Sequence, residues 1–271
     1  MAEKRQLITL LTDFGTADYF VAAMKGAALG INPAIDLLDI THEIPNHDIF
    51  GAAYTLRCSY DAFPRFTTHV VVVDPGVGSS RRPIFVMTDN YNFIGPDNGV
   101  FSYIYQLEQI NRVIHLTTDY YFRKPVSDTF HGRDIFAPVA AWHAKGIDPR
   151  KMGDEIKDFV KLEAPVPKQV APTMLQGSVI HVDRFGNLVT NFTRDHLPVE
   201  REAMGARLRV NGREIHQIVT HYAEAQPQEP VAYFGSQGFL EIGINKASAA
   251  RALEVRRGMP VDMAFPVNSQ G

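Results

Sequence analysis

At 271 residues, 45% of them hydrophobic, the chain is long enough to bury a full core in one large domain or two modest ones. A formal net charge of -3, with no block of like sign, offers no broad positive field and disfavours nucleic acid as a partner. No run of about eighteen apolar residues exists to span a bilayer. The opening MAEKRQLITLL sets charges before only a short apolar run, which does not fit a signal peptide, so a cytoplasmic protein is expected. The single cysteine, Cys58, cannot form an internal disulfide and has no identifiable base beside it; it reads as an inert thiol.

In chain order, Leu7 to Leu11 is a short apolar run ending at the turn-like Thr12-Asp13-Phe14-Gly15, and helical spacing follows from Ala17 to Leu29. Strand, loop and helix then repeat: Ile35 to Ile40 precedes Thr41-His42-Glu43-Ile44-Pro45-Asn46-His47-Asp48, and a helix from about Asp48 carries Ile49, Ala52, Ala53 and Leu56. Val70 to Val73, Ile84 to Thr88 and Val113 to Leu116 read as further strands, Gly95 to Gly99 as a turn, and Val100 to Leu107 as a helix. This alternation predicts an α/β fold: a mostly parallel sheet with helices on both faces.

Ser127 to Asp134 gathers polar side chains just before a helix holding Ile135, Phe136, Val139, Ala140 and Trp142, with Asp128 or Thr129 placed to cap it and Asp134 in its first turn. The segment APVPKQVAP, with three prolines and no periodic pattern, reads as an interdomain connection. Beyond it the character changes to β-rich runs, with the turn Asp183-Arg184-Phe185-Gly186 and the hairpin signal Asn211-Gly212. The expected organisation is an α/β catalytic domain over 1–165, a linker over 166–172, and a C-terminal antiparallel β-barrel-like domain over 173–271.

The stretch with most chemical content is VVVDPGVGSSRRP, residues 71–83. It sets Asp74 at the carboxyl end of a strand, where open α/β sheets bind ligands, with Arg81 and Arg82 in reach of the same loop. Asp13 holds an equivalent place after the first strand, although an Asx turn or helix cap would also explain it. Gly76-Val77-Gly78-Ser79-Ser80-Arg81 lacks the third glycine of a dinucleotide fingerprint, and Pro83 interrupts the helix it should open. Walker, GxSxG and HExxH motifs are absent from the sequence. His42, His47, Asp74 and His131 are chemically suited to zinc or manganese, but their spacing matches no standard site and Arg81 would oppose the cation; no metal is expected.

Six motifs in order resemble one family: Leu10 to Gly15, Asp39 to His42, Val73 to Gly78, Gly95 to Gly99, Phe130 to Asp134 and Asp183 to Asn187. Together they are similar to the S-adenosyl-L-methionine hydroxide adenosyltransferases, relatives of the fluorinase and chlorinase, over Ile8 to about Val261. The resemblance implies hydrolysis of S-adenosyl-L-methionine to adenosine and L-methionine by attack of water or hydroxide at the ribose 5′ carbon, without a cofactor. It implies a catalytic set of Asp74, Arg81 and His131, with Arg82 as the alternative to Arg81. Asp13 matches the ribose-hydroxyl ligand, Asp183 and Ser236 the methionine end, and Asn187 the adenine edge. Asp18 is a further methionine-end candidate and Phe130 counts among the substrate contacts; His47 stands where the fluorinase has an aromatic wall and Gln237 where it has arginine. A homotrimer with the site between subunits is also implied. Two other readings remain open at this stage: a chlorinase-like halogenase of the same substrate, and a non-catalytic adenosine or S-adenosyl-L-methionine binding protein.

Overall fold

The computed structural model describes residues 6–198, 205–221 and 224–265. The chain divides into two compact units, Met1–Ala164 and Pro165–Gly271. The first holds β1 (Gln6–Thr12), α1 (Phe20–Ile31), β2 (Ile35–Thr41), α2 (Ile49–Arg57), β3 (Thr68–Val72), β4 (Pro83–Thr88), β5 (Asn92–Pro96), α3 (Ile104–Leu107), β6 (Ile110–Leu116), α4 (Ala137–Ala144) and β7 (Gly153–Glu155). Its sheet runs β2-β1-β3-β5-β4-β6-β7. The pairs among β2, β1, β3 and β5 are parallel and those joining β5, β4, β6 and β7 antiparallel, so the sheet is mixed.

The β-branched runs have no polar face because both sides are covered. On one side Ile8, Leu10, Val70, Val72 and Phe85 pack with Met24 and Ala28 of α1 and Val139 and Ala140 of α4. On the other, Leu11, Val71, Val73 and Val86 pack with Ala52 and Leu56 of α2 and Ile104 of α3. α2 starts where Asp48 accepts a hydrogen bond from the Gly51 amide (2.9 Å).

The second unit is almost wholly antiparallel: β8 (Lys168–Ala171), β9 (Met174–Val182), β10 (Leu188–Thr193), β11 (Arg207–Val210), β12 (Arg213–Ile215), β13 (Pro230–Phe234), β14 (Phe239–Ile244) and β15 (Pro260–Ala264). The order β12-β11-β15-β9-β10-β14-β13 nearly closes into a barrel, because Gln217 to Val219, just past β12, bonds to Ala232 of β13. Asn211 and Gly212 both take positive φ (46° and 72°), the geometry of a two-residue hairpin turn.

Three local expectations differ. Lys168–Ala171 is a strand paired with β9 and not a featureless connection; its prolines, 165, 167 and 172, flank the strand and take no ladder bond from it. Gly95 and Pro96 lie within β5, where a side chain on Gly95 would strike the Val71 carbonyl of the adjoining strand. The helix expected over Val100 to Leu107 is reduced to Ile104–Leu107, because the Ser102 hydroxyl donates to the Gly99 carbonyl (2.6 Å) and accepts from the Leu162 amide (2.7 Å), holding the preceding residues in turns.

A buried histidine sits in the core between strands. His69 of β3 is fully enclosed, its Nδ1 2.7 Å from Thr9 Oγ1 of β1 and its ring stacked on Phe93 at 5.2 Å. Burial pushes its pKa from the usual 6.5 down to about 3, so the unfolded chain binds a proton there that the folded protein does not. His69 therefore supports the fold fully above pH 6.5, and that support is lost as pH falls toward 3. Melting temperature measured across this window should decline with acidity, and more gently in a His69→Asn variant; an equal slope in both would contradict a buried neutral His69.

Candidate active site

β1 lies between β2 and β3 in the sheet, so the chain leaves β1 toward one neighbour and returns on its other side at β3. The crevice of an open sheet forms at such a reversal, beyond the carboxyl ends of the two strands. Thr12 pairs with Val72 in register, which puts Asp13 and Asp74 just past adjacent strand ends. A cavity of about 380 Å³ opens there, lined by Asp13, Phe14, Asp18 and Phe20, by Asn46 and His47, by Val72, Asp74 and Val77, and by Thr129 to Gly132. That volume falls within the range of small-molecule sites.

Asp74 and His131, on separate loops, are joined through Arg81. Arg81 Nε donates to Asp74 Oδ1 (3.1 Å), Nη2 donates to Asp74 Oδ2, and Nη2 also reaches His131 Nδ1 at 3.0 Å. A guanidinium has no acceptor, so His131 Nδ1 must accept and the ring proton resides on Nε2. The Asp74 and Arg81 side chains are only 4% and 7% exposed. Burial raises the Asp74 carboxyl above its ordinary value of 3.8 and prevails over the lowering effect of Arg81. Burial and the Arg81 charge both push His131 down, against the opposing pull of Asp74, and keep it neutral. Arg82 points elsewhere: it binds Asp97 through Nε (2.9 Å) and Asp158 through Nη1 (2.9 Å). The arginine in contact with both Asp74 and His131 is Arg81.

The two loops are braced against each other. Gly78 has a φ of 76°, and a side chain there would run into the Asp128 carbonyl oxygen. Asp134 lies in the first turn of the helical segment, as expected, and is also fully buried. It accepts from the Ser127 amide (2.9 Å), Arg123 Nη1 (3.2 Å) and Arg133 Nε (2.7 Å), and so ties down both sides of the loop bearing Phe130 and His131. Neither Asp128 nor Thr129 caps a helix: a π-helical turn over Gly132–Phe136, with no side-chain cap, leads from His131 into α4. Asn98, in the turn after β5, donates to the Val73 carbonyl (2.9 Å) and fixes the strand end beside Asp74.

Asp13 accepts from the His47 amide (2.8 Å), and His47 takes a φ of 65°, an uncommon conformation for a residue with a side chain. Asp183 and Asn187 are brought together in the second unit, where Asn187 donates to Asp183 from its backbone amide and its side chain, both at 2.8 Å. They line a second cavity, of about 690 Å³, with Phe185, Glu241, Lys246 and Ser248. Ser236 and Gln237 lie in the turn between β13 and β14 and line neither cavity. Glu241 escaped sequence reasoning because an acid inside the alternating strand FLEIGI reads as a solvent-facing residue. Burial raises its pKa, and Asp183 adds to the rise against a lowering hydrogen bond from Tyr233. Among the described residues no three His, Cys, Asp or Glu side chains converge in a metal-binding arrangement, and no helix is long and apolar enough to cross a membrane.

Comparison with known proteins agrees in both units. The models of the SAM hydroxide adenosyltransferase N-terminal and C-terminal domains match residues 8–153 and 177–262. An (R)-S-adenosyl-L-methionine hydrolase of Thermus thermophilus is 34% identical, covering 94% of this chain and 98% of its own. One from Methanocaldococcus jannaschii is 36% identical, with 92% of each covered. A fluorinase of an Actinoplanes species is 25% identical, over 96% of this chain and 98% of its own. A crystal structure of a conserved protein from Thermotoga maritima superimposes with a TM-score of 0.88 at 34% identity, covering 95% of this chain and 99% of that one. The chain belongs to the SAM hydroxide adenosyltransferase family.

Proposed function

We propose that the protein hydrolyses S-adenosyl-L-methionine to adenosine and L-methionine, and that it acts on the R epimer at sulfur which the names of its hydrolase relatives specify. Water attacks the ribose 5′ carbon in line with the C5′–S bond. The bond's electron pair leaves on sulfur, which turns from a sulfonium into a neutral thioether, and the water gives up a proton. The leaving group needs neither a general acid nor a Lewis acid, so positioning and deprotonating water is the remaining task.

The observation that carries this reading is the contact set of Asp74, Arg81 and His131 at the cavity beyond β1 and β3. Asp74 takes the proton: its raised pKa makes it a better base than an ordinary carboxylate, and Arg81 pairs with its ionised form. Arg81 holds the carboxylate and the imidazole in fixed relation, and neutral His131 completes the network. Asp13 grips the ribose hydroxyls, with Asp18, His47 and Phe130 beside it. Asp183 and Ser236 meet the methionine end, Asn187 reads the adenine edge, and Gln237 adjoins Ser236. Asp74 would repel a halide, which counts against halogenation. The same reading expects the protein in the cytoplasm.

Chromatography of products after incubation with each epimer, with and without chloride, should give equal adenosine and methionine and no chlorinated nucleoside. Asp74→Ala should lower turnover by about a hundredfold or more. The wild-type rate should fall on the acid side with a midpoint above 3.8, as Asp74 takes up a proton. Nucleoside bound without turnover would overturn the hydrolase in favour of a binding protein.

We also propose a homotrimer whose active site forms between subunits. Membership of the family supports it, as does the division of the candidate residues between two cavities, one in each unit. Sedimentation should give a species of three chains; a monomer that remains active would contradict it.

A further inference from the structure

The motif Asp39-Ile40-Thr41-His42 has no part in the chemistry above, and its histidine lines neither cavity. His42 is 4% exposed, immediately past β2, and a polar atom lies near each ring nitrogen, although Nε2 falls short of hydrogen-bond geometry. Nδ1 is 2.9 Å from Thr12 Oγ1, and Nε2 is 3.1 Å from Asp39 Oδ1. The other Asp39 oxygen pairs with Lys25 Nζ of α1 at 2.6 Å.

Thr12 is the last residue of β1 and precedes Asp13. Its hydroxyl oxygen accepts from the Phe14 amide at 3.2 Å, so the contact to His42 continues across Asp13 to its far side. Two backbone bonds repeat the connection: the Gly15 amide donates to the His42 carbonyl (2.7 Å) and the Ile44 amide to the Thr12 carbonyl (3.4 Å). The donors and acceptors are consistent from His42 Nδ1 through Thr12 to Phe14. A carboxylate next to Nε2 favours the ring proton there, which leaves Nδ1 to accept from the Thr12 hydroxyl and leaves the hydroxyl oxygen to accept from Phe14.

We infer that His42 is a positioning residue for substrate binding: through Thr12 it fixes the loop that aims Asp13 into the cavity. The inference rests on the reading of Asp13 as the ribose ligand. The same β2–α2 segment also fixes the carboxylate from the other side, through the His47 amide, so both ends of the Asp13 geometry depend on where His42 anchors that segment. A shift of Asp13 acts on binding of the nucleoside before it acts on Asp74, which belongs to a different loop.

The test compares KM, kcat and melting temperature of the full chain with Thr12→Val, Thr12→Ser, His42→Leu, His42→Asn and Asp13→Asn, using S-adenosyl-L-methionine as substrate. Thr12→Val and His42→Leu should raise KM about tenfold while kcat stays within about threefold. Thr12→Ser, which keeps the hydroxyl, and His42→Asn, which keeps a group near the Nδ1 position, should return KM to within about twofold of wild type. Asp13→Asn should raise KM at least as far as Thr12→Val. A lower melting temperature with unchanged KM in Thr12→Val and His42→Leu, while Asp13→Asn raises KM, would overturn the relay and leave the ribose reading intact. An unchanged KM in Asp13→Asn would overturn the ribose reading, and the role of His42 with it.

Discussion

The contact on which the site depends is a guanidinium shared between a carboxylate and an imidazole. Arg81 lies seven residues beyond Asp74, on the same loop, and reaches His131 on another. Taking two charges out of water is costly and is offset only when the geometry is good and the pair is intact. Losing either partner leaves a buried charge without compensation. The surrounding architecture satisfies that condition: Gly78 lets the two loops touch, Asp134 ties down the one bearing His131, and Asn98 holds the end of the strand that leads to Asp74.

The same burial shifts the two titratable groups in opposite directions. It raises Asp74 and lowers His131: the carboxylate paired with Arg81 gains basicity, and the neutral ring has a defined tautomer. Here the substrate simplifies the problem further. A sulfonium departs as a neutral thioether, so one base and a well-placed water suffice.

Much of this was legible in the sequence, for identifiable reasons. Val71 to Val73 ending in Asp74-Pro75-Gly76 announced a buried strand with an acid at its carboxyl end, and Asn211-Gly212 announced a hairpin, because each depends on local backbone constraints. What escaped depends on partners distant in sequence. Spacing alone did not separate Arg81 from Arg82; Asp97 and Asp158, which hold Arg82, lie 15 and 76 residues away. Asp134 looked like a helix-end acid because its bonds to Arg123 and Ser127 require the loop to fold back. Lys168–Ala171 looked like a linker because a short strand between prolines has no signal of its own until β9 lies beside it. Glu241 was invisible because alternation in a strand does not tell a wet face from a cavity wall.

The central claim is that the oxygen added to the nucleoside comes from water and enters at the ribose 5′ carbon. Turnover in ¹⁸O-labelled water, with mass analysis of both products, tests it most directly. The account predicts one labelled oxygen in each adenosine, at the 5′-hydroxyl, and none in methionine. Unlabelled adenosine, or label carried by methionine, would contradict it.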